Sequence, residues 1–89
     1  MKIWRYKMKY YIYNADIGTF EIRKVDHFRY QLFINEEMLG EYESAELAAE
    51  DIATFNTDYV EWDNLEHELE DVPATLSQWT VIKGDTPPK

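Results

Sequence analysis

The spacing of the apolar residues changes once along this chain, close to Ser44. Before Ser44, apolar and aromatic residues recur at every second position, as they do in Phe28, Tyr30, Leu32 and Ile34. After it, they recur at spacings of three and four, the period of a helix with one buried face. This order of patterns predicts an α+β fold, in which an antiparallel sheet comes first and a helix packs on it.

Period-two alternation also marks residues 3–13, 19–25 and 38–43. The connections between these segments are short, and short connections join antiparallel neighbours. We therefore predict a three- or four-stranded antiparallel sheet. In the first segment, one face is expected to hold Trp4, Tyr6, Met8, Tyr10 and Ile12, and the other Arg5, Lys7, Lys9, Tyr11 and Tyr13.

The main helix is predicted over about 45–55. Ser44 is a suitable N-cap, because its hydroxyl can accept a free backbone N–H at the start of a helix. A short second helix is predicted near 64–70, where Asp63 and Glu66 have the spacing of a capping box and Pro73 ends the pattern.

The length of 89 residues suits one domain, which we place at 1–83, with a disordered tail at 84–89. The chain has no cysteine, so disulfides and thiolate metal sites are ruled out. Basic residues interrupt the apolar residues near the start, which disfavours a secretory signal, and no stretch is long and apolar enough for a membrane span. We expect a cytoplasmic protein.

Charge is distributed very unevenly along the chain. No lysine or arginine lies between Arg29 and Lys83, yet that stretch holds fourteen carboxylates, and the formal net charge is −9. Because the predicted helices fall there, we expect an acidic helical face that can dock a protein partner. Its candidate binding residues are Glu46, Glu50, Asp51, Glu66 and Asp71.

The basic residues belong to the predicted strands and suggest an alternative function. A basic sheet with aromatic rings can hold nucleic acid, and Tyr11, Tyr13 and Phe33 are expected to supply the rings. The candidate nucleic-acid face consists of Arg5, Lys7, Lys9, Arg23 and Arg29. The acidic remainder of the chain repels phosphates and so disfavours this alternative.

The junction over 39–49, Leu-Gly-Glu-Tyr-Glu-Ser-Ala-Glu-Leu-Ala-Ala, resembles the strand-to-helix junction of the APETALA-type DNA-binding domain. That local likeness covers residues 18–55 and implies a three-stranded sheet on one helix. More of the chain, including Glu61-Trp62-Asp63 and the segment 73–79, resembles a group of small, uncharacterised acidic bacterial proteins. The second resemblance implies no activity.

No pattern indicates catalysis. The sequence lacks a cysteine nucleophile and a glycine-rich phosphate loop, and its carboxylates follow no acid–base pattern. Glu66-His67-Glu68 has suitable metal ligands but not the spacing of a site. We therefore expect no enzyme activity, no cofactor and no metal.

The sequence thus predicts a non-catalytic protein-binding module, as a monomer or with weak head-to-tail self-association of the basic sheet on the acidic helix. Two other interpretations of the acidic face stay open: it serves only solubility, or it imitates DNA. Trp62 and Trp79 are either core residues or binding anchors.

Overall fold

The computed structural model describes residues 8–84, and it describes the side chains of residues 10–82. It confirms the predicted α+β class. Five strands form one antiparallel sheet in the order β4-β3-β2-β1-β5. The strands are β1 Met8–Ala15, β2 Gly18–Asp26, β3 Arg29–Ile34, β4 Glu37–Tyr42 and β5 Thr80–Gly84.

The sheet has one strand more than the largest number predicted. The additional strand β5 pairs with β1, with Val81 opposite Tyr11 and Ile82 opposite Tyr10. Gly84, which the sequence assigned to a disordered tail, is the last residue of β5. Residues 85–89 of that tail and residues 3–7 of the predicted first strand lie outside the described residues.

Tight turns fix the register of the first four strands. Asn35 and Glu36 join β3 to β4 with positive φ at both positions, which matches the twist of a hairpin. The side chain of Asn35 also lies against Gly18, so a Cβ atom at position 18 would overlap it. Gly18 also has a φ of +153°, which residues with a side chain rarely adopt. Position 18 therefore requires glycine both for lack of space and for its backbone conformation.

The main helix, α1, spans Ala45–Ala53 and lies on the sheet. The prediction that Ser44 caps it is confirmed, because the Ser44 hydroxyl accepts a hydrogen bond from Leu47 N at 3.2 Å. The buried face of α1 is made of small residues and Ile52, which lets the helix approach β2 and β3 closely. The helix ends two residues earlier than predicted.

The second short helix, α2, is Val60–Asp63 and precedes the predicted position at 64–70. Asp63 ends this helix and does not begin another. Its carboxylate accepts hydrogen bonds from Thr57 N, Thr57 Oγ1 and Asp58 N at 3.0, 2.7 and 2.8 Å. Residues 64–68 form turns, and a single 3₁₀ turn follows at Leu76–Gln78.

The core lies between the sheet and α1, α2 and the 3₁₀ turn. Trp62 is fully buried, packs edge-on against Phe20, and donates a hydrogen bond from Nε1 to the Ile52 carbonyl at 3.0 Å. Trp79 is 4% exposed and lies beside Tyr13. Both tryptophans are therefore core residues and are not available as surface anchors.

The prediction that Tyr11 and Tyr13 lie on the outer face of the sheet, with the basic residues, is wrong. Tyr11 and Tyr13 pack on the core side, in line with Phe20 and Ile22 of β2. Tyr10 and Ile12 consequently lie on the outer side of the sheet. Among residues 8–84, no helix is long and apolar enough to cross a membrane.

Candidate functional site

The five acidic residues predicted to bind a partner lie at three places on the helical side of the protein. Glu46 and Glu50 are exposed on α1, with Glu46 beside the 3₁₀ turn. Asp51 faces β4, where its carboxylate accepts a hydrogen bond from the Tyr42 hydroxyl at 2.8 Å. Glu66 is exposed in the turns after α2, and Asp71 lies in the following extended segment.

Asp71 lines a cleft between the β1–β2 turn and residues 68–72, which we call the acidic cleft. Its volume is about 470 Å³. The carboxylates that line it are those of Asp16, Glu68, Glu70 and Asp71. The fold thus brings together acidic groups that are more than fifty residues apart in sequence.

Apolar groups form the remainder of the acidic cleft. Tyr13, Ala15, Leu69 and Val72 contribute to its lining, and each of them also packs against the core. The walls are therefore anchored by buried contacts, while the carboxylates lie in the loop and turn above them. A cleft of this composition can bind a group that has both an apolar and a cationic part.

The phenol of Tyr13 is affected by this environment. Burial raises the pKa of Tyr13, and the nearby charges of Asp16 and Asp71 raise it further. Both carboxylates therefore act on the same point in the cleft, and their potentials add. A cation placed there would be stabilised by the same field.

The outer face of the sheet carries mixed charges. Arg23 bonds to Glu21 at 2.7 Å and lies over the ring of Phe33, 4.2 Å from its centroid. Arg29 bonds to Asp26 at 3.0 Å, and its Nη1 lies 3.6 Å from a carboxylate oxygen of Glu41. Two of the three arginines predicted to contact nucleic acid, Arg23 and Arg29, are thus already paired with carboxylates.

The other residues of the candidate nucleic-acid face give it little support. Tyr11 and Tyr13 face the core, so Phe33 is the one ring of the predicted three that lies on the outer side. Arg5, Lys7 and the side chain of Lys9 lie outside the described part of the chain. Within that part, the ion pairs of the sheet join two arginines to three carboxylates, so the sheet there has no excess of positive charge among these groups.

Within residues 8–84, no group of three or more histidine, aspartate or glutamate side chains is arranged to hold a metal ion. The carboxylates of the acidic cleft are therefore close enough to share a surface but are not arranged as a coordination shell. The hydroxyls of Ser44 and Ser77 are engaged in local bonds, to Leu47 N and Thr75 Oγ1 respectively.

Asp16, Glu68 and Glu70 belong to the acidic cleft, yet sequence analysis did not select them. Asp16 occupies the two-residue turn between β1 and β2. The only sequence signal for Glu68 and Glu70 is their membership of the acidic stretch. No local pattern indicates that the turn and the segment 68–72 meet.

Comparison with known proteins finds no matching family model, no similar curated protein and no similar solved structure. The resemblances to the APETALA-type domain and to small bacterial proteins therefore stay predictions.

Proposed function

We propose that this protein is a non-catalytic binding module that docks a basic protein partner in the cytoplasm through its acidic helical side. The observation that carries the proposal is the acidic cleft, in which Asp16 and Asp71 flank Tyr13. The remaining predicted acidic residues lie elsewhere on the helical side and add to the long-range attraction.

The distribution of countercharges supports this choice of side. All three ion pairs between described residues lie on the sheet, around Arg23 and Arg29. Among the described residues, no ion pair involves the carboxylates of Glu46, Glu50 or Asp71. The chain from residue 30 to residue 82 also contains no lysine or arginine. The field of these carboxylates extends into solvent and speeds the encounter with a positive surface.

The composition of the acidic cleft supports lysine or arginine as the inserted side chain. These side chains combine an aliphatic stem with a cationic head. The stem can pack on Leu69 and Val72 while the head lies between Asp16 and Asp71. Partial desolvation in the cleft strengthens that attraction compared with an ion pair in open solvent.

The test measures binding of a fluorescent peptide in which lysine and arginine are spaced by glycine and serine. The cleft variant carries Asp16→Asn, Glu70→Gln and Asp71→Asn. We expect it to bind at least about tenfold more weakly than the wild type, a loss of about 1.4 kcal/mol. Fluorescence anisotropy at low and moderate salt gives the affinities.

A matched control removes the same charge from another part of the surface, with Glu36→Gln, Glu37→Gln and Glu43→Gln. These three side chains are exposed near the ends of β4. We expect the control variant to bind the peptide less than about threefold more weakly than the wild type, because only the long-range attraction changes. Equal losses in the two variants, or no binding by the wild type, would contradict the proposal.

Nucleic-acid binding by the sheet is the alternative, and capture from a lysate with and without nuclease separates the two. Proteins retained after nuclease treatment and lost with the cleft variant support the proposal. Recovery of nucleic acid that is lost with Arg23→Gln and Arg29→Gln would support the alternative instead.

A further inference from the structure

One wall of the acidic cleft is a stretch of chain whose backbone hydrogen-bonding groups are free. Residues 69–73, which we call the cleft segment, form neither helix, strand nor turn, and none of them has a positive φ. Within the described part of the chain, its three middle residues, Glu70, Asp71 and Val72, make no backbone hydrogen bond. Their N–H groups and carbonyls can therefore pair with the main chain of a partner.

The apolar side chains of the cleft segment hold it against the protein. Leu69 and Val72 pack against the core, and Pro73 is buried. Pro73 also keeps Val72 in the extended region of φ and ψ, because a proline ring disfavours the helical conformation of the residue before it. The free backbone groups thus belong to an anchored, extended stretch, which loses little conformational entropy when a peptide pairs with it.

A second cleft, which we call the adjoining cleft, lies beside the acidic cleft. Its volume is about 410 Å³, and Pro73 and Gln78 contribute to its lining. The residues that line both clefts are Tyr13, Glu70, Asp71 and Val72. The two clefts are therefore neighbouring parts of one surface, and the cleft segment belongs to both of them.

Two neighbouring clefts along an extended segment suit two side chains of one extended peptide. In such a peptide, side chains two positions apart point to the same side and lie about 7 Å from each other. The side chain between them points to the opposite side. Two residues separated by one other can therefore occupy both clefts, whereas two consecutive residues cannot.

The charges of the two clefts identify the occupant as a basic segment. Their carboxylates are those of Asp16, Glu68, Glu70 and Asp71, and no lysine, arginine or histidine is among the described residues that line them. Lys9 and Lys83 pair near the start of β1, whereas the clefts lie at the turn that follows its end. A basic segment is therefore attracted by every charged group of this lining.

We propose that the basic partner binds as an extended segment that pairs its main chain with the backbone of residues 70–72. Two of its basic side chains, two positions apart, enter the acidic cleft and the adjoining cleft. The inference rests on the proposed function, since it identifies the form in which the basic partner occupies the same site. Main-chain hydrogen bonds supply affinity, and the spacing of the two basic residues supplies selectivity.

The first test compares two short acetylated threonine peptides of equal length and equal charge. One carries two lysines separated by a single threonine, and the other carries two consecutive lysines. Attraction between charges alone gives the two peptides nearly equal affinities, whereas the proposed geometry seats both lysines of the first peptide only. We expect the first peptide to bind at least about fivefold more tightly in fluorescence anisotropy. The cleft variant should lose this preference, and the control variant should keep it.

Hydrogen exchange tests the main-chain pairing directly. In the free protein, the amides of Glu70, Asp71 and Val72 should exchange rapidly, because they have no hydrogen-bond acceptor. Successive N–H groups of an extended chain point in opposite directions, so the first peptide should protect either Asp71 or both of its neighbours. At saturation we expect this exchange to slow at least about tenfold, measured by nuclear magnetic resonance. The amide of Asp58, already bonded to Asp63, is the control and should change less than about threefold.

The outcomes distinguish the inference from the proposed function. Suppose that the two lysine peptides bind equally, or that none of the three amides gains protection, while the cleft variant still weakens the lysine–arginine peptide. Extended pairing is then wrong and the proposed function stands. If no basic peptide binds, both fail. A dimer in sedimentation that the cleft variant dissociates would assign the two clefts to a second copy and overturn the inference.

Discussion

The ring of Phe55 stacks on the indole of Trp62, with ring centroids 4.9 Å apart and an angle of 15° between the planes. This contact occurs although Phe55 has a φ of +57°, a conformation that a bulky residue rarely adopts. Phe55 follows the Thr54 cap of α1, where its N–H bonds to Ile52 O and the N–H of Asn56 bonds to Asp51 O. Glycine usually occupies this position in such a helix end.

We predict that Phe55→Ala destabilises the protein more than Phe55→Gly does. Both changes remove the stacking on Trp62, but alanine keeps the unfavourable φ while glycine relieves it, a difference of about 1 kcal/mol. The total loss for alanine is expected to be about 2–4 kcal/mol. Urea unfolding measures both variants, and an alanine variant as stable as the glycine variant would refute the strain at this helix end.

The contact between Gly18 and Asn35 gives a second prediction. Gly18→Ala should cost about 1–3 kcal/mol, because the new Cβ atom meets the Asn35 side chain and the backbone is strained. In an Asn35→Gly background, which keeps the turn and removes the side chain, the same change should cost less by about 0.5 kcal/mol or more. A double-mutant cycle in urea tests this, and additive losses would show that the steric contact has no effect.

Asp63 provides a third prediction, because its carboxylate closes the loop between α1 and α2. Asp63→Ala leaves the donors of Thr57 and Asp58 without their partner, and Thr57 is buried. We expect a loss of about 2–4 kcal/mol. Glu61→Ala is the control, since Glu61 is exposed on the same short helix and should cost less than about 0.5 kcal/mol. Similar thermal transitions for the two variants would contradict the assigned role of Asp63.

The fold class could be predicted because its signals are local. Phe20 and Ile22 alternate clearly with polar residues, and Ser44 precedes a small-residue stripe at helical spacing, so the strands and α1 follow from short stretches of sequence. The faces of β1 could not be assigned, since Tyr10 and Tyr11 give both sides a large aromatic ring. The packing of Tyr13 against Phe20, Trp62 and Trp79 in the folded protein shows which side faces the core.

Strand β5 and the acidic cleft depend on long-range pairing, which local patterns do not encode. Val81 and Ile82 are too few to indicate a strand by alternation, and β5 pairs with the other end of the chain. Asp16 and Asp71 line the same cleft only because that topology is in place. The second helix was misplaced for a related reason, since Asp63 has the residue type of a helix cap but bonds to the loop before it.

Alkaline pH supplies a fourth prediction, through the hydrogen bond from Tyr42 to Asp51. Burial, followed by that hydrogen bond, raises the pKa of Tyr42 above its ordinary value of 10.0. Because the folded pKa is the higher one, the contribution of Tyr42 to stability is fully present below pH 10 and is lost as the pH rises further.

Tyr42→Phe should therefore lower the free energy of unfolding by about 1–2 kcal/mol at neutral pH. The difference in this free energy between the variant and the wild type should shrink above about pH 10. Urea unfolding at a series of pH values gives this difference, and absorbance of the phenolate follows the ionisation itself. If the difference in unfolding free energy between the wild type and Tyr42→Phe stayed constant or widened above that pH, the stabilising role of the Tyr42 hydroxyl would be contradicted.

The central claim is that a basic partner binds the acidic helical side and not the sheet. The most direct measurement is a nuclear magnetic resonance titration of the labelled protein with the lysine–arginine peptide. The account predicts that the amide signals of Asp16, Glu70 and Asp71 move most, while those of Arg23 and Phe33 on the outer face stay in place. Shifts centred on Arg23 and Phe33, or spread evenly over both sides of the protein, would contradict it.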